Sequence, residues 1–184
     1  LAERFDSPRD RSWAMTFEAR VFMDLGRLDE ARAGLDKALP LAIEEKWLTF
    51  RPFIEIFLLE LDRLEGRDAL AIRSDMEMVF AACCQLADPC WEGLAARGIG
   101  LTYTDAADAE TAYAWLHDGI ARCTRVTDTW VWVEAWVLES EIALAIKHGH
   151  LDHARRKSQQ LLRHSAKRQL DHYSDRAQEL LDSL

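Results

Sequence analysis

Three histidines stand close together in the sequence, and histidine is the side chain that most often binds transition metals or moves protons near neutral pH. His148 and His150 flank a glycine, and His153 follows three residues later. A zinc site needs three or four ligands that converge on one point. Two of these histidines flank a glycine in a turn, and no carboxylate or cysteine nearby could complete the set except Asp152. We therefore predict no metal centre and no cofactor for this chain.

The sequence lacks the patterns of the common catalytic sites. It has no phosphate-binding P-loop, no His-Glu-x-x-His zinc pair and no nucleophile elbow. Gly98 and Gly100 fall within a helical run and lack the third glycine of a dinucleotide-binding turn. His117 stands next to Asp118, but adjacent helix positions do not face each other and form no dyad. We predict that the chain is not an enzyme.

Four cysteines occur, and none belongs to a Cys-x-x-Cys pair. Cys83 and Cys84 are adjacent, which hinders both a relaxed disulfide between them and a shared tetrahedral metal site. We predict that these two, Cys90 and Cys123 are free thiols in a reducing, cytoplasmic compartment. The sequence opens with Leu1 and without a secretory leader, so we expect a fragment or a processed piece of a larger protein.

The composition is that of a globular chain with an acidic surface. Of 184 residues, 49% are apolar, and 32 acidic residues outnumber 23 basic ones, for a formal charge of −9. This balance argues against nucleic-acid binding over the whole surface, and no apolar run approaches the ~20 residues of a membrane span. We therefore expect protein partners, with a small-molecule effector as a second possibility, and neither a membrane nor nucleic acid.

One segment departs from this acidic balance. Residues 147–172 hold seven basic and two acidic side chains. We interpret the segment as the solvated face of two helices, and the alternative is a docking site for an acidic protein or nucleic acid.

A turn followed by a small residue recurs along the chain. Each of three glycines has an alanine five residues later, and two alanines hold the same relation in between. The pairs are Gly26 and Ala31, Gly66 and Ala71, Ala107 and Ala112, and Gly149 and Ala154. The turn positions lie 40, 41 and 42 residues apart, and a fixed period of this kind is typical of stacked helical hairpins.

Each turn lies between two helical runs, which gives four predicted hairpins and a closing helix. The hairpins are predicted over about 11–46, 51–86, 89–124 and 129–165, and the closing helix over about 167–183. Within the hairpins, the first helices cover about 11–24, 51–64, 89–104 and 129–147, and the second about 29–46, 68–86, 109–124 and 151–165. We predict a single helical-repeat domain over residues 1–184.

Local signals support these helix ends. Glycine supplies the left-handed residue that ends a first helix, and the alanine after it lets the second helix pack closely on the first. Asp88 and Asp128 are predicted N-caps, and Asp105, Asp108 and Glu110 suit the start of the helix that follows the third turn.

The repeats resemble those of the tetratricopeptide family. The first repeat matches best, with Ala19, Phe22, Gly26, Ala31, Leu35 and Ala38, and the third matches at Ile99, Gly100, Tyr103, Ala112, Leu116 and Gly119. Asp62 and Asp75 occupy positions that are usually apolar or aromatic in that family. The period is longer than the usual ~34 residues and is similar to the repeat regions of large bacterial signal-transduction ATPases and LuxR-type regulators.

The resemblance implies a right-handed superhelical array whose first helices line a concave groove. Counting back from each turn gives the groove positions Trp13, Thr16, Arg20, Met23, Phe53, Ile56, Glu60, Arg63, Leu94, Arg97, Leu101, Thr104, Trp136, Glu139, Ala143 and Ile146. The candidate contacts among them are Trp13, Arg20, Phe53, Glu60, Arg63, Arg97, Trp136 and Glu139. Packing against a neighbouring helix is the alternative for the aromatic residues, and a surface salt bridge for the arginines.

From this array we predict a non-catalytic protein-interaction or regulatory module of a larger bacterial signalling or transcription-regulatory protein. The alternative is an effector-sensing domain, in which a small molecule fills an aromatic pocket near Trp13, Trp132 or Trp136. Trp132 and Trp136 share one helix face, whereas Trp130 is predicted to point elsewhere.

Overall fold

The computed structural model describes residues 7–125 and 130–184, and its regular structure over these residues is entirely helical. The helices are α1 (Pro8–Asp24), α2 (Leu28–Glu44), α3 (Arg51–Leu64), α4 (Ala69–Leu86), α5 (Pro89–Asp105), α6 (Ala109–Cys123), α7 (Val131–Lys147), α8 (Leu151–Arg168) and α9 (Asp171–Ser183). Each corresponds to a helix that the sequence predicts, and the all-α class is confirmed.

The described helices form two compact units that divide after Leu86. The first unit contains α1 to α4, where α2 packs on α1 and α3, and α3 packs on α4. The second contains α5 to α9, where each helix packs on the next and α5 also packs on α7. The single domain over residues 1–184 stays a prediction.

Left-handed residues end the first helix of every hairpin. Gly26, Gly66 and Gly149 have φ angles of +70°, +85° and +72°. Ala107 takes the equivalent place with φ +60°, although its Cβ disfavours this conformation. In each case the next residue donates its N–H to a carbonyl five residues earlier, as Arg27 does to the carbonyl of Phe22 at 2.8 Å, which closes the helix end.

The alanine after the turn packs as predicted in three hairpins. Ala31, Ala112 and Ala154 have no exposed surface. Because each lies where the second helix meets the first, a larger side chain has no space there.

In the second hairpin the prediction for Ala71 is wrong. Ala71 is half-buried, and Ile72 takes the fully buried position instead. The carboxylate of Asp68 accepts the N–H of Ala71 at 2.8 Å, and α4 begins three residues after Gly66, whereas the other second helices begin two residues after their turn. This one extra turn residue moves the buried face of α4 along by one position.

Two of the aspartate caps predicted from the sequence are present. Asp88 accepts the N–H of Cys90 at 3.1 Å, and Asp108 accepts the N–H of Thr111 at 3.1 Å, as the sequence predicts. The third predicted cap, Asp128, lies outside the described residues.

The closing helix begins later than predicted. Helix α8 continues to Arg168, where the prediction ends it near residue 165, and Gln169 then adopts a left-handed conformation with φ +57°. Helix α9 therefore starts at Asp171 rather than at residue 167. Gln169 is not a residue type that signals a helix end, which is why the sequence misses this boundary.

Asp62 and Asp75, which depart from the repeat pattern, belong to an ion-pair network. Arg67 lies 2.9 Å from Asp62 and 2.7 Å from Asp75, and Arg32 lies 2.6 Å from Asp62. The network joins α2, α3 and α4, so charged contacts replace the apolar contacts that the pattern would supply there.

Candidate partner-binding groove

A groove of about 330 Å³ lies between α7 and α9 in the second unit. Its walls are Glu139, Ile142, Ala143, Ile146 and Lys147 from α7, and Arg176 and Leu180 from α9. Ala143 is exposed, and Ile146 is 38% exposed. Residues three and four apart lie on one face of a helix, so α7 presents an open stripe that is mainly apolar.

Three of the groove positions predicted on α7 line this groove. They are Glu139, Ala143 and Ile146. The fourth position, Trp136, lies three residues before Glu139 on the same helix, and it is only 6% exposed. Three of the four α7 positions obtained by counting back from the turn at Gly149 thus line this groove, and their role as partner contacts stays a prediction.

Charged groups lie along the groove. The Nε atom of Arg176 lies 2.9 Å from Oε1 of Glu139, which joins α9 to α7. The Nζ atom of Lys147 donates to the backbone carbonyl of Thr104 at 3.0 Å. The Glu139 side chain is 12% exposed and that of Arg176 is 49% exposed. Among the charged side chains that line the groove, the two basic ones are therefore more exposed than the acidic one.

Arg97 and Trp136 meet below this face. The guanidinium of Arg97 lies 3.6 Å from the ring centroid of Trp136, and its Nε donates to Oγ of Ser140 at 2.8 Å. Arg97 is 5% exposed. This cation–π contact brings two candidate contacts together as packing partners between α5 and α7, which fixes the position of the α7 face.

Four tryptophans of the second unit, Trp91, Trp130, Trp132 and Trp136, form a connected set. Trp130 contacts Trp91 with a centroid distance of 5.0 Å and Trp132 with 6.3 Å, and Trp132 lies 6.2 Å from Trp136. The prediction that Trp130 points elsewhere is wrong. Helix α7 begins at Val131, so Trp130 precedes the helix and does not follow its periodicity.

The candidate contacts in the first unit belong largely to packing. Trp13 stacks on Phe50 with a centroid distance of 5.0 Å, and Phe53 has no exposed surface. Phe53 is therefore a core residue, because a ligand at the surface cannot reach it. Glu60 is 5% exposed.

The two arginines of the first unit differ from these buried residues. Arg20 forms an ion pair with Asp24 one turn later on α1. Arg63 is half-buried near the end of α3. Their role as partner contacts stays a prediction.

Sequence reasoning misses the α9 wall of the groove. Arg176 and Leu180 lie four residues apart, so they share one face of α9. The predicted apolar face of the closing helix includes Leu180, and Arg176 lies one turn before Leu180. No sequence signal shows that this face turns toward α7, because that depends on how α9 packs.

Two of the histidines around the fourth turn, His150 and His153, form hydrogen bonds with different side chains. His153 lies 2.8 Å from Oε1 of Glu141, which is 2% exposed, and the Tyr113 hydroxyl lies 3.3 Å from Nδ1 of His150. Burial raises the pKa of Tyr113, and the Glu141 carboxylate raises it further. Within residues 7–125 and 130–184, no three histidine, cysteine or acidic side chains are placed to hold a metal ion.

The four cysteines are free thiols in the structure, and Cys84 is the exposed one. Burial raises the pKa of Cys123 to about 12, with further contributions from Cys90 and Glu134. Cys123 is therefore protonated at neutral pH and has little nucleophilic character.

The basic segment lies mainly on α8. Its exposed members are Lys147 at the end of α7 and, on α8, Arg155, Arg156, Arg163, Lys167 and Arg168. Lys157 differs, since its Nζ lies 3.0 Å from Oε2 of the buried Glu141. No helix in the described part of the chain has the length and apolar content needed to cross a membrane.

Comparison with known proteins supports the fold alone. No protein-family model matches the sequence, and no curated protein matches it. The structure is similar to the crystal structure of BtubC (BKLC) from P. vanneervenii, with a TM-score of 0.58 and 13% sequence identity. The match covers 90% of this chain and 67% of that one.

Proposed function

We propose that this chain is a non-catalytic protein-interaction module of a larger bacterial signalling or transcription-regulatory protein and acts in the cytoplasm. Its helices would form a right-handed, tetratricopeptide-like superhelix. The recurring left-handed turn, from Gly26 to Gly149, and the buried alanine after three of the four turns support this arrangement. So does the resemblance of the repeats to the tetratricopeptide family.

The α7–α9 groove is the observation that carries the proposal. It leaves Ala143 and Ile146 open on a face that the tetratricopeptide resemblance implies for the groove. Of the three charged side chains that line the groove, Arg176 and Lys147 are exposed, while Glu139 is 12% exposed. The groove therefore fits a short segment of a partner protein that carries an apolar side chain next to an acidic one.

Selection of short random peptides on the full chain tests this proposal. We expect the enriched peptides to combine an apolar residue with a nearby Asp or Glu. Ala143→Trp should fill the groove and weaken the binding of these peptides by more than about tenfold. The matched control is Ala166→Trp, because Ala166 is also exposed but lies on α8 outside the groove.

Both variants should keep the helical circular dichroism of the parent chain, since neither alanine is buried. Equal peptide affinity for Ala143→Trp and the parent chain would contradict the assignment of the groove. Enrichment of basic peptides would contradict the charge argument.

The connected tryptophans favour effector sensing as a second candidate function. Trp130 and Trp132 are half-buried, and their rings contact each other. Half-buried aromatic rings offer apolar faces on which a flat small molecule can stack. A metabolite screen that follows tryptophan fluorescence and melting temperature tests this function, because a ligand that binds only the folded state raises stability. A screen without any shift would contradict it.

A further inference from the structure

A second open groove, of about 630 Å³, lies in the first unit between α3 and α4. Leu58 and Leu59 of α3 face Met78, Val79 and Ala82 of α4 across it. Met78 is 64% exposed. Single exposed apolar residues are normal on a protein surface, but a contiguous apolar groove marks an interaction site.

The apolar surface of α4 is wider than the stripe that packs in the first unit. The buried stripe carries Ile72, Met76, Val79 and Cys83. Beside it, Met78, Ala82 and Leu86 line the groove together with Val79. A surface helix normally has one apolar stripe that its own domain covers, so the uncovered part of this wider surface is suited to a further helix.

Leu48 extends the same surface from the segment before α3. It is 67% exposed and lines the groove together with Pro52. Apolar residues from three parts of the chain thus meet around one opening.

The length and the helical walls of the groove suit a helix as its ligand. The lining of α4 runs from Asp75 to Leu86, which is roughly 16 Å or three helical turns. Both walls are helices, whose backbone N–H and C=O groups bond within each helix. An extended peptide would find no backbone partners here, whereas a helix satisfies its own backbone.

The charge around the groove selects basic flanks on that helix. At the rim, Glu55 pairs with Arg51 at 2.7 Å, and Asp75 pairs with Arg67 at 2.7 Å, so these four charges balance. The first unit as a whole, residues 1–86, carries 17 acidic and 12 basic side chains. This net negative charge of the unit attracts a cationic partner.

We infer that the α3–α4 groove binds one amphipathic helix of a partner protein, whose apolar stripe is flanked by Lys or Arg. This surface shares no residue with the α7–α9 groove. The two assignments can therefore succeed or fail separately.

The test is fluorescence polarisation of the full chain with a synthetic helical peptide. The peptide is roughly 16 residues long, with Leu at three- and four-residue steps and Lys at the other positions. A second peptide has Glu in place of every Lys. We expect the Lys peptide to bind at least about tenfold more tightly than the Glu peptide. Failure of the Lys peptide to bind, or equal binding of both, would overturn the inference.

Two substitutions test whether the Lys peptide binds in the α3–α4 groove. Met78→Glu and Leu48→Glu should each weaken binding of the Lys peptide by more than about tenfold, because a carboxylate would be buried under the apolar stripe. Leu70→Glu is the matched control: Leu70 is 68% exposed on α4 but does not line the groove, and its substitution adds the same charge. If Leu70→Glu weakened binding as much as Met78→Glu, nonspecific charge would explain the binding and the inference would be wrong.

Sedimentation of the same proteins separates a partner helix from a second copy of this chain. We expect the parent chain and Met78→Glu to sediment alike as monomers. A dimer of the parent chain that Met78→Glu dissociates would assign the groove to self-association and would overturn the inference.

Discussion

At the residue scale, the fold depends on small side chains where three of the four second helices meet their first helix. Ala31, Ala112 and Ala154 have no exposed surface, and all three lie five residues after a left-handed turn residue. Protein interiors are close-packed, so an added side chain there must displace its neighbours.

Ala112→Leu should destabilise the chain by about 1–3 kcal/mol, because extra methylenes have no space at a fully buried position. Ala121→Leu is the matched control, since Ala121 is exposed on the same helix and its substitution should change stability by less than ~0.5 kcal/mol. Urea unfolding of both variants measures the difference. Equal midpoints for the two variants would show that the buried register of α6 is misplaced.

The buried thiol of Cys123 gives stability a specific dependence on pH. Its pKa in the folded chain is about 12, above the ~8.5 of an unfolded thiol. The folded state thus holds a proton that the unfolded state releases, so this contribution is complete below pH ~8.5 and is lost as pH rises toward 12. The expected slope over that window is about −1.4 kcal/mol per pH unit.

Cys123→Ala isolates this effect from the other groups that titrate at high pH. Unfolding free energies of the parent chain and the variant, measured between pH 8 and 10, should converge as pH rises. Parallel curves for the two proteins would contradict the raised pKa.

At the element scale, α5 and α6 approach so closely that only glycine fits between them at one point. A Cβ added at Gly93 would lie 2.6 Å from Sγ of Cys123 and 2.9 Å from the backbone carbonyl oxygen of Gly119. The carbonyl belongs to the α6 backbone, so the two helices would have to move apart. The glycine therefore sets the distance between these helices.

Gly93→Ala should destabilise the chain by about 1–3 kcal/mol, as overpacking does in other cores. Gly34→Ala on α2 should be neutral or stabilising by up to ~1 kcal/mol, because its Cβ would meet its nearest atoms at 3.5 and 3.6 Å, and alanine favours a helix interior. Thermal unfolding of the two variants compares them. Equal shifts in the same direction would contradict the close approach of α5 and α6.

The helices themselves follow from the sequence because their ends carry local signals. Gly26, Asp88 and Asp108 act at the ends where the sequence places them. The predicted helix ends are wrong where no typical end residue is present, or where an additional capping residue lengthens the turn. Gln169 adopts a left-handed conformation without being glycine, and Asp68 lengthens one turn by a residue.

The candidate site follows from the sequence only in part. The tetratricopeptide resemblance implies the groove positions Glu139, Ala143 and Ile146, and helix periodicity places them on one face of α7. The α9 wall with Arg176 and the whole α3–α4 groove depend on how helices pack on one another. Periodicity within one helix carries no information about that packing.

At the scale of the whole molecule, each compact unit carries its own open groove. The α3–α4 groove lies within the first unit, which ends at Leu86, and the α7–α9 groove lies within the second. We predict that residues 87–184 alone give the circular dichroism of a folded helical protein. They should also bind the selected acidic peptides with the affinity of the full chain. An unfolded fragment would contradict the assignment of these residues to a self-sufficient unit.

The central claim is that the open face of α7 binds a partner segment, and methyl NMR of the full chain with a selected acidic peptide tests it most directly. We predict that the methyl resonances of Ile142, Ile146 and Leu180 shift on addition of the peptide, and that Ala143→Trp abolishes these shifts. Shifts concentrated on Leu48 and Met78 would place the peptide in the α3–α4 groove and contradict the claim. The absence of any shift at the three α7–α9 residues would contradict it as well.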